Sequence, residues 1–286
     1  ASMIQRAAAS QKRINEFLDT QPAIRDRPGA GTVELKGHVQ FRDVSFTYPH
    51  TGITALKNFS LEIKPGQKIA VVGKTGSGKS TIAQLLLRMY EAGSGTIFID
   101  GTDIRDIRLA SLREQISYVP QDVFLFSETV ANNIAFGLDT AQQEDVEKAA
   151  VQAAVDNDIR SFPDQYQTLV GERGVTLSGG QKQRISIARA LVKSPGLVVF
   201  DDCLSAVDAR TEKEIIGNLR DFLTDKTALI ITHRIFSLLS FDRVVVLDDG
   251  VVVEEGTHGQ LLERKGYYAE MHARQQEQDR VAATGG

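Results

Sequence analysis

Ile69-Ala70-Val71-Val72-Gly73-Lys74-Thr75-Gly76-Ser77-Gly78-Lys79-Ser80-Thr81 decides the architecture of this chain. An apolar run ends in a glycine-rich loop, and apolar residues recur behind it at Ile82, Leu85, Leu86 and Met89. That spacing predicts strand, loop and helix in succession. Glycines 73, 76 and 78 let the backbone curl so that successive N–H groups converge on phosphate oxygens. The helix N-terminus behind them adds a favourable partial charge for an anion. Lys79 is placed to reach the β and γ phosphates, and the Ser80 hydroxyl to take one position on Mg²⁺. Thr75, Ser77 and Thr81 complete the candidate cradle, and ATP is the expected ligand.

Outward from this loop, Leu197–Phe200, Ala228–Ile231 and Val244–Leu247 are further apolar runs of strand length. Such runs suit strands buried on both faces, as in a parallel sheet covered by helices. Asp249-Gly250 between residues 244–247 and 251–253 reads as a hairpin turn. Shorter β-like stretches, Val39–Phe46 and Phe59–Ile63, precede the loop. Residues 122–195 carry few strand signals but helical ones at 142–156 and 181–193, so a helical insertion into an α/β core is expected. Residues 1–19 read as a helix through Ile4, Ala7, Ala8, Ile14, Phe17 and Leu18. Pro22, Pro28, Gly29 and Gly31 mark a linker over 20–32. A lone terminal helix is either a packed or disordered end or the severed continuation of another domain, and the start at Ala1 without methionine favours a piece of something longer. Residues 274–280 are polar and expected to fray.

The 286 residues are 42% apolar, enough for one large domain or two small ones, and the net charge of −4 is spread over both signs. No basic block points to nucleic acid as a partner. Cys203 is the single cysteine, so no disulfide forms within the chain, and a reducing compartment is the default. No apolar run approaches the ~20 residues needed to cross a bilayer, and no signal peptide opens the chain.

Leu197-Val198-Val199-Phe200-Asp201-Asp202 is an apolar strand ending in two acids. Alone, such a pair is more often a turn or a helix cap. At the C-terminal end of a strand in an open α/β sheet it points into the crevice where ligands bind. Asp201 is then the Mg²⁺ carboxylate, acting through the ion's water shell, and Asp202 the general base or water-orienting group nearer the γ phosphate.

Leu177-Ser178-Gly179-Gly180-Gln181 matches the signature sequence of ABC-type ATPases, and the other family elements stand in the expected order. Tyr48 resembles the aromatic that stacks on adenine. Gln121, in Val119-Pro120-Gln121-Asp122, resembles the glutamine that contacts Mg²⁺ and senses nucleotide. Ser205-Ala206-Val207-Asp208 resembles the loop that crosses the dimer interface, and His233, in Ile231-Thr232-His233-Arg234, the switch histidine at the γ phosphate. The resemblance covers about residues 33–270. It implies a P-loop NTPase (RecA-like) α/β core with a mostly parallel sheet, an antiparallel β subdomain and an inserted helical subdomain. It also implies two ATP molecules sandwiched between two head-to-tail domains, the signature of each (Ser178, Gly179, Gly180, Gln181, with Asp208) covering the ATP held by the other. His38, His50, His258 and His272 have no such context, and Cys203 reads as a small buried residue behind the acids.

Thr168-Leu169-Val170-Gly171-Glu172-Arg173-Gly174 looks like the exporter segment that touches the membrane domain, and residues 1–19 like the cytoplasmic end of a last transmembrane helix. The resemblance therefore implies three parts: 1–32 as helix end and linker, 33–270 as the ATP-binding domain with its helical part at about 122–195, and 271–286 as a tail. Partners would be a second ATPase domain, identical or not, and a transmembrane domain at the cytoplasmic face of an inner or plasma membrane. Asp202 departs from the family, which usually has Glu there. Its carboxylate falls ~1 Å short, a misplacement that can cost about 100-fold in rate. Either Asp still works through a small shift or an added water, or this is the degenerate half of a heterodimer, binding ATP tightly and hydrolysing it slowly.

Overall fold

The computed structural model describes residues 2–171, 174–234 and 241–284. Among the described residues, ten strands form two sheets: β1 (Val39–Thr47), β2 (Thr54–Ile63), β3 (Lys68–Gly73), β4 (Ser94–Ile99), β5 (Thr102–Asp103), β6 (Ile116–Val119), β7 (Leu197–Asp201), β8 (Thr227–Ile231), β9 (Arg243–Asp248) and β10 (Val251–Gly256). The larger sheet has the order β10-β9-β3-β8-β7-β6. Its pairs are parallel except β9–β10. The smaller sheet, in the order β2-β1-β4-β5, is antiparallel. The chain thus has the α/β P-loop architecture expected, with an antiparallel β part and helices inserted between β6 and β7.

Continuous apolar runs form the central strands because both faces are covered. One face (Ile69, Val71, Val199, Leu229, Val245) packs on the antiparallel sheet and the helix Lys79–Leu86. On the other face, Val198, Phe200, Ala228 and Ile230 pack on the helical insertion and on the helix Ala209–Phe222. Ala70, Val72, Val244 and Val246 meet Leu261 and Tyr268 of the C-terminal helices His258–Glu263 and Tyr267–Thr284. The hairpin turn forms as read: Asp249 and Gly250 both have positive φ, 45° and 79°, the requirement of a type I′ turn.

Four readings are corrected. β6 was not anticipated, because Ile116-Ser117-Tyr118-Val119 is too short to show a period and gains its place by pairing alongside β7. The helix behind the glycine loop stops at Leu86, and Met89 lies beyond it, 45% exposed. Residues 274–280, expected to fray, lie within the helix Tyr267–Thr284, which is rich in good helix formers. In the insertion, helices Val130–Ala135, Gln143–Gln152, Asp156–Ser161 and Gly179–Val192 appear. The expected helix 142–156 is interrupted at Ala154, whose φ is 54°. The terminal helix Ser2–Leu18 exposes Met3, Ile4, Ile14, Phe17 and Leu18. Among the described residues, no helix is long and apolar enough to cross a membrane.

Candidate functional site

Parallel strands present all their C-terminal ends on one edge, and that topology assembles the site. β3 ends in Gly73 and the glycine loop, β7 in Asp201, β8 just before His233, and β6 just before Gln121. Residues scattered over 160 positions of sequence therefore share one edge of one sheet.

Two glycines of the loop are sterically required. A Cβ on Gly73 would lie 2.1 Å from the Leu247 carbonyl, and one on Gly78 equally close to that of Ala55. Gly76, with φ +80°, meets nothing within 4 Å and faces open space, as a backbone that must be approached closely by a ligand would. The loop is tied down by Ser77 N–H to Lys74 O at 3.2 Å and by Gly250 N–H to Ser77 O at 3.1 Å. Gly78 caps the helix Lys79–Leu86 in the left-handed conformation.

Lys79 is only 5% exposed. Its ammonium donates to the carbonyls of Gly73 at 3.0 Å and Lys74 at 2.7 Å. Among the described residues it forms no ion pair. Burial pulls it down to about 8, against the raising influence of Asp202 and Asp201. A buried cation with no carboxylate in direct contact is costly, and a polyanion is the ligand that removes the cost. Next to it the Ser80 hydroxyl donates to Asp201 Oδ1 at 2.9 Å, and Tyr118 Oη donates to Asp201 Oδ2 at 3.3 Å. Burial, and then the neighbouring Asp202, push the Asp201 carboxyl upward, and the two hydroxyls oppose that. A hydroxyl, a carboxylate and an exposed Gln121 amide at one strand edge are the oxygen donors that suit Mg²⁺, so the residues fit the ion.

Asp202 sits in the left-handed region, φ 44°, with its N–H on the Ile231 carbonyl at 2.8 Å and its Oδ1 3.5 Å from His233 N. The structure thus brings Asp202 and His233 side by side. Thr75 and Gly76 are exposed, Ser77 and Thr81 buried. Half-buried Tyr48 makes edge contacts with Phe46 and Tyr90. Its hydroxyl meets Thr81 Oγ1 at 2.8 Å and donates to Gln84 Oε1 at 2.7 Å. Cys203 is buried behind the acids, as read, and burial raises its thiol.

The signature residues lie elsewhere. Ser178 caps the helix Gly179–Val192 through a reciprocal box: its Oγ accepts from Gln181 N at 3.2 Å, and Gln181 Oε1 accepts from Ser178 N at 3.0 Å. Gln181 also donates to Asp158 at 2.9 Å, and Arg184 pairs with the same carboxylate at 2.7 Å. Ser178 and Gly179 are exposed, Gly180 and Gln181 partly so. Among the described residues, no hydrogen bond links this helix start to the glycine loop. Gln183, which the sequence reading passed over, fastens it instead to the loop after β7, donating to Ser205 Oγ at 3.0 Å and accepting from Ala206 N at 2.9 Å. Asp208 ends that loop as an exposed cap, accepting from Arg210 N and Thr211 N; the Thr211 contacts foremost hold its carboxyl low.

Residues 56–205 match the family model described as ABC transporter, which takes in the glycine loop, the signature and both acids. The chain belongs to the ABC transporter family. A Bacillus subtilis (strain 168) relative named "Probable multidrug resistance ABC transporter ATP-binding/permease protein YheI" is 44% identical over 275 residues, 96% of this chain and 47% of that protein. An "ATP-dependent lipid A-core flippase" of Pseudomonas fluorescens is 44% identical over 274 residues, 96% of this chain and 45% of the flippase. Human "ATP-binding cassette sub-family B member 6" is 41% identical over 281 residues, 98% of this chain and 33% of that protein. A solved structure of a bacterial Atm1-family ABC exporter with ATP bound superposes with a TM-score of 0.89 at 41% identity, covering 95% of this chain and 48% of that one. The chain thus spans between a third and about half the length of these relatives. It is an ATPase domain of the ABC exporter type.

Proposed function

We propose that this domain is the ATP-hydrolysing motor of an exporter, working as one of two head-to-tail copies or paralogues that clasp two ATP molecules. The observation that carries this is Lys79, a buried ammonium held by the neutral carbonyls of Gly73 and Lys74 in a glycine cradle beside the Ser80–Asp201 pair. In this reading Gly73 to Thr81 bind the triphosphate and Tyr48 stacks on the adenine. Ser80, Asp201 and Gln121 hold Mg²⁺. When bound, the ion neutralises charge on the β and γ oxygens. Asp202 orients or deprotonates the attacking water, and His233 donates to the γ phosphate.

The Ser178 helix N-terminus is exposed and, among the described residues, makes no hydrogen bond to its own chain's cradle, which supports a role on the ATP of a facing domain, with Asp208 at the same interface. Binding then joins the domains and hydrolysis releases them. The transmembrane domain is the second partner, at the cytoplasmic face of a membrane. A cavity of about 330 Å³ lined by Val123, Phe124, Leu125, Val170 and Leu177, with Phe124 66% exposed beside it, supports docking there. Of the expected exporter segment, Val170 and Gly171 line this cavity, while Glu172 and Arg173 lie outside the described residues. Residues 1–32 would be the connection to that domain, 33–270 the motor and 271–286 a tail.

Calorimetric titration with Mg-ATP tests the binding. Lys79→Ala removes charge-assisted hydrogen bonds worth about 1.5–3 kcal/mol, a loss of roughly 10- to 150-fold in affinity. Sedimentation with a slowly hydrolysed analogue tests the pairing: Ser178→Arg should abolish nucleotide-dependent dimers while each chain still binds nucleotide. Unchanged affinity in the first variant, or unchanged dimers in the second, refutes the corresponding part. A second reading is motivated by Asp202: this is the slowly hydrolysing member of an unequal pair, whose intact Ser178–Gln181 completes the site of a Glu-bearing partner.

A further inference from the structure

Of the two oxygens of Asp201, one faces Ser80 and the other faces a residue that no part of the ATP-site reading uses. Tyr118 stands beside Val199 in the parallel β6–β7 pair, so it shares a face with Val199 and, two residues on, with Asp201. Its hydroxyl reaches Asp201 Oδ2 at 3.3 Å, while Ser80 Oγ holds Oδ1 at 2.9 Å. Asp201 itself is 2% exposed, so water can do little of this work.

We propose that Tyr118 is a positioning residue for the metal carboxylate: it anchors Oδ2 of Asp201 and thereby turns Oδ1 toward Ser80 and the ion. This rests on the ATP-site reading above and adds a member to that site. A carboxylate hung from a single bond to its strand swings about that bond. A second donor on the far oxygen fixes the plane, and such outer partners of metal ligands are worth about 10- to 100-fold in metal affinity. Tyr118 also sits three residues before Gln121 on the same strand exit. A shift of β6 that moves Gln121 would move the Asp201 anchor with it.

The test uses Tyr118→Phe, which keeps the ring in its half-buried place and removes only the hydroxyl. Mn²⁺ is the probe, titrated by electron paramagnetic resonance in the presence of a non-hydrolysable ATP analogue. The expected result is an Mn²⁺ affinity about 10-fold weaker, with the analogue's own affinity in EDTA unchanged and the melting temperature in EDTA within ~2 °C of wild type. Tyr166→Phe is the control. It loses a 2.6 Å hydrogen bond to Asp156 in the helical insertion and should leave Mn²⁺ binding as it was. Equal Mn²⁺ affinity in wild type and Tyr118→Phe overturns the role of Tyr118 while sparing the site. An equal loss in Tyr166→Phe overturns it too, since general loosening would then explain both. If wild type takes up no Mn²⁺ with nucleotide, the site reading falls and the role of Tyr118 with it.

Discussion

Replacing Asp202 by Glu should raise the turnover of this domain, and the structure sets the size of the gain. The added methylene carries the carboxylate about 1 Å further, and a misplacement of that order is worth about 100-fold in rate, or roughly 2.7 kcal/mol. The native Asp could recover part of this only by moving its backbone. That backbone is held by the 2.8 Å bond from Asp202 N to Ile231 O, between a strand-end Asp201 and a buried Cys203. Giving up that bond costs about 1 kcal/mol, which still leaves a deficit of roughly 5-fold. Asp202→Glu should therefore speed phosphate release at saturating Mg-ATP by about 5- to 100-fold, with Asp202→Asn as the slow reference. Because Asp tolerates the left-handed φ of 44° better than Glu does, the variant should also melt ~1 °C lower. Wild-type turnover equal to or above that of the Glu variant would refute the reasoning. It would show that the shorter side chain reaches the attacking water unaided and that the domain is a fully active motor.

Two glycines of one loop should respond differently to alanine. Gly76→Ala meets only the strain of φ +80°, about 1–2 kcal/mol, and should fold but bind nucleotide poorly, whereas Gly78→Ala drives a Cβ to 2.1 Å from the Ala55 carbonyl and should shift the melting temperature by several degrees. Ser178→Ala removes the capping box and should cost about 1 kcal/mol by urea denaturation. Burial favours the neutral form of Asp156, but its hydrogen bonds from Arg160 and Tyr166 win and hold it below the ordinary 3.8. A depressed carboxylate stabilises the fold above its unfolded value and loses that contribution as the pH falls through the folded one. Asp156→Asn should thus be less stable than wild type by roughly 1–2 kcal/mol at pH 7, and the gap should narrow progressively in denaturation curves taken further and further below pH 3.8. A gap that persists in acid would remove the charge from the explanation.

Local features carried their own evidence in the sequence because their physics is local. The glycine loop, the β9–β10 turn and the apolar runs of β3, β7, β8 and β9 each follow from a few adjacent residues that permit one backbone path. Ser178 and Gln181 spell out a cap in four positions. By contrast, β6 exists because β7 offers it a parallel partner, and nothing within Ile116–Val119 says so. The helix after the loop ends at Leu86 and not at Met89, where chain direction is set by packing against the antiparallel sheet.

The sequence by itself determined the phosphate cradle, the two acids behind it and the family order of the remaining motifs, since each is a short run whose residue types state their chemistry. Only the tertiary structure decided which side chains share the sheet edge: Tyr118 on Asp201, Gln84 under Tyr48, and Gln183 on the loop that follows the acids. A hydrogen bond between residues 83 or 36 positions apart leaves no mark on either one's neighbours. It comes into being when parallel strands are laid side by side and their ends line up.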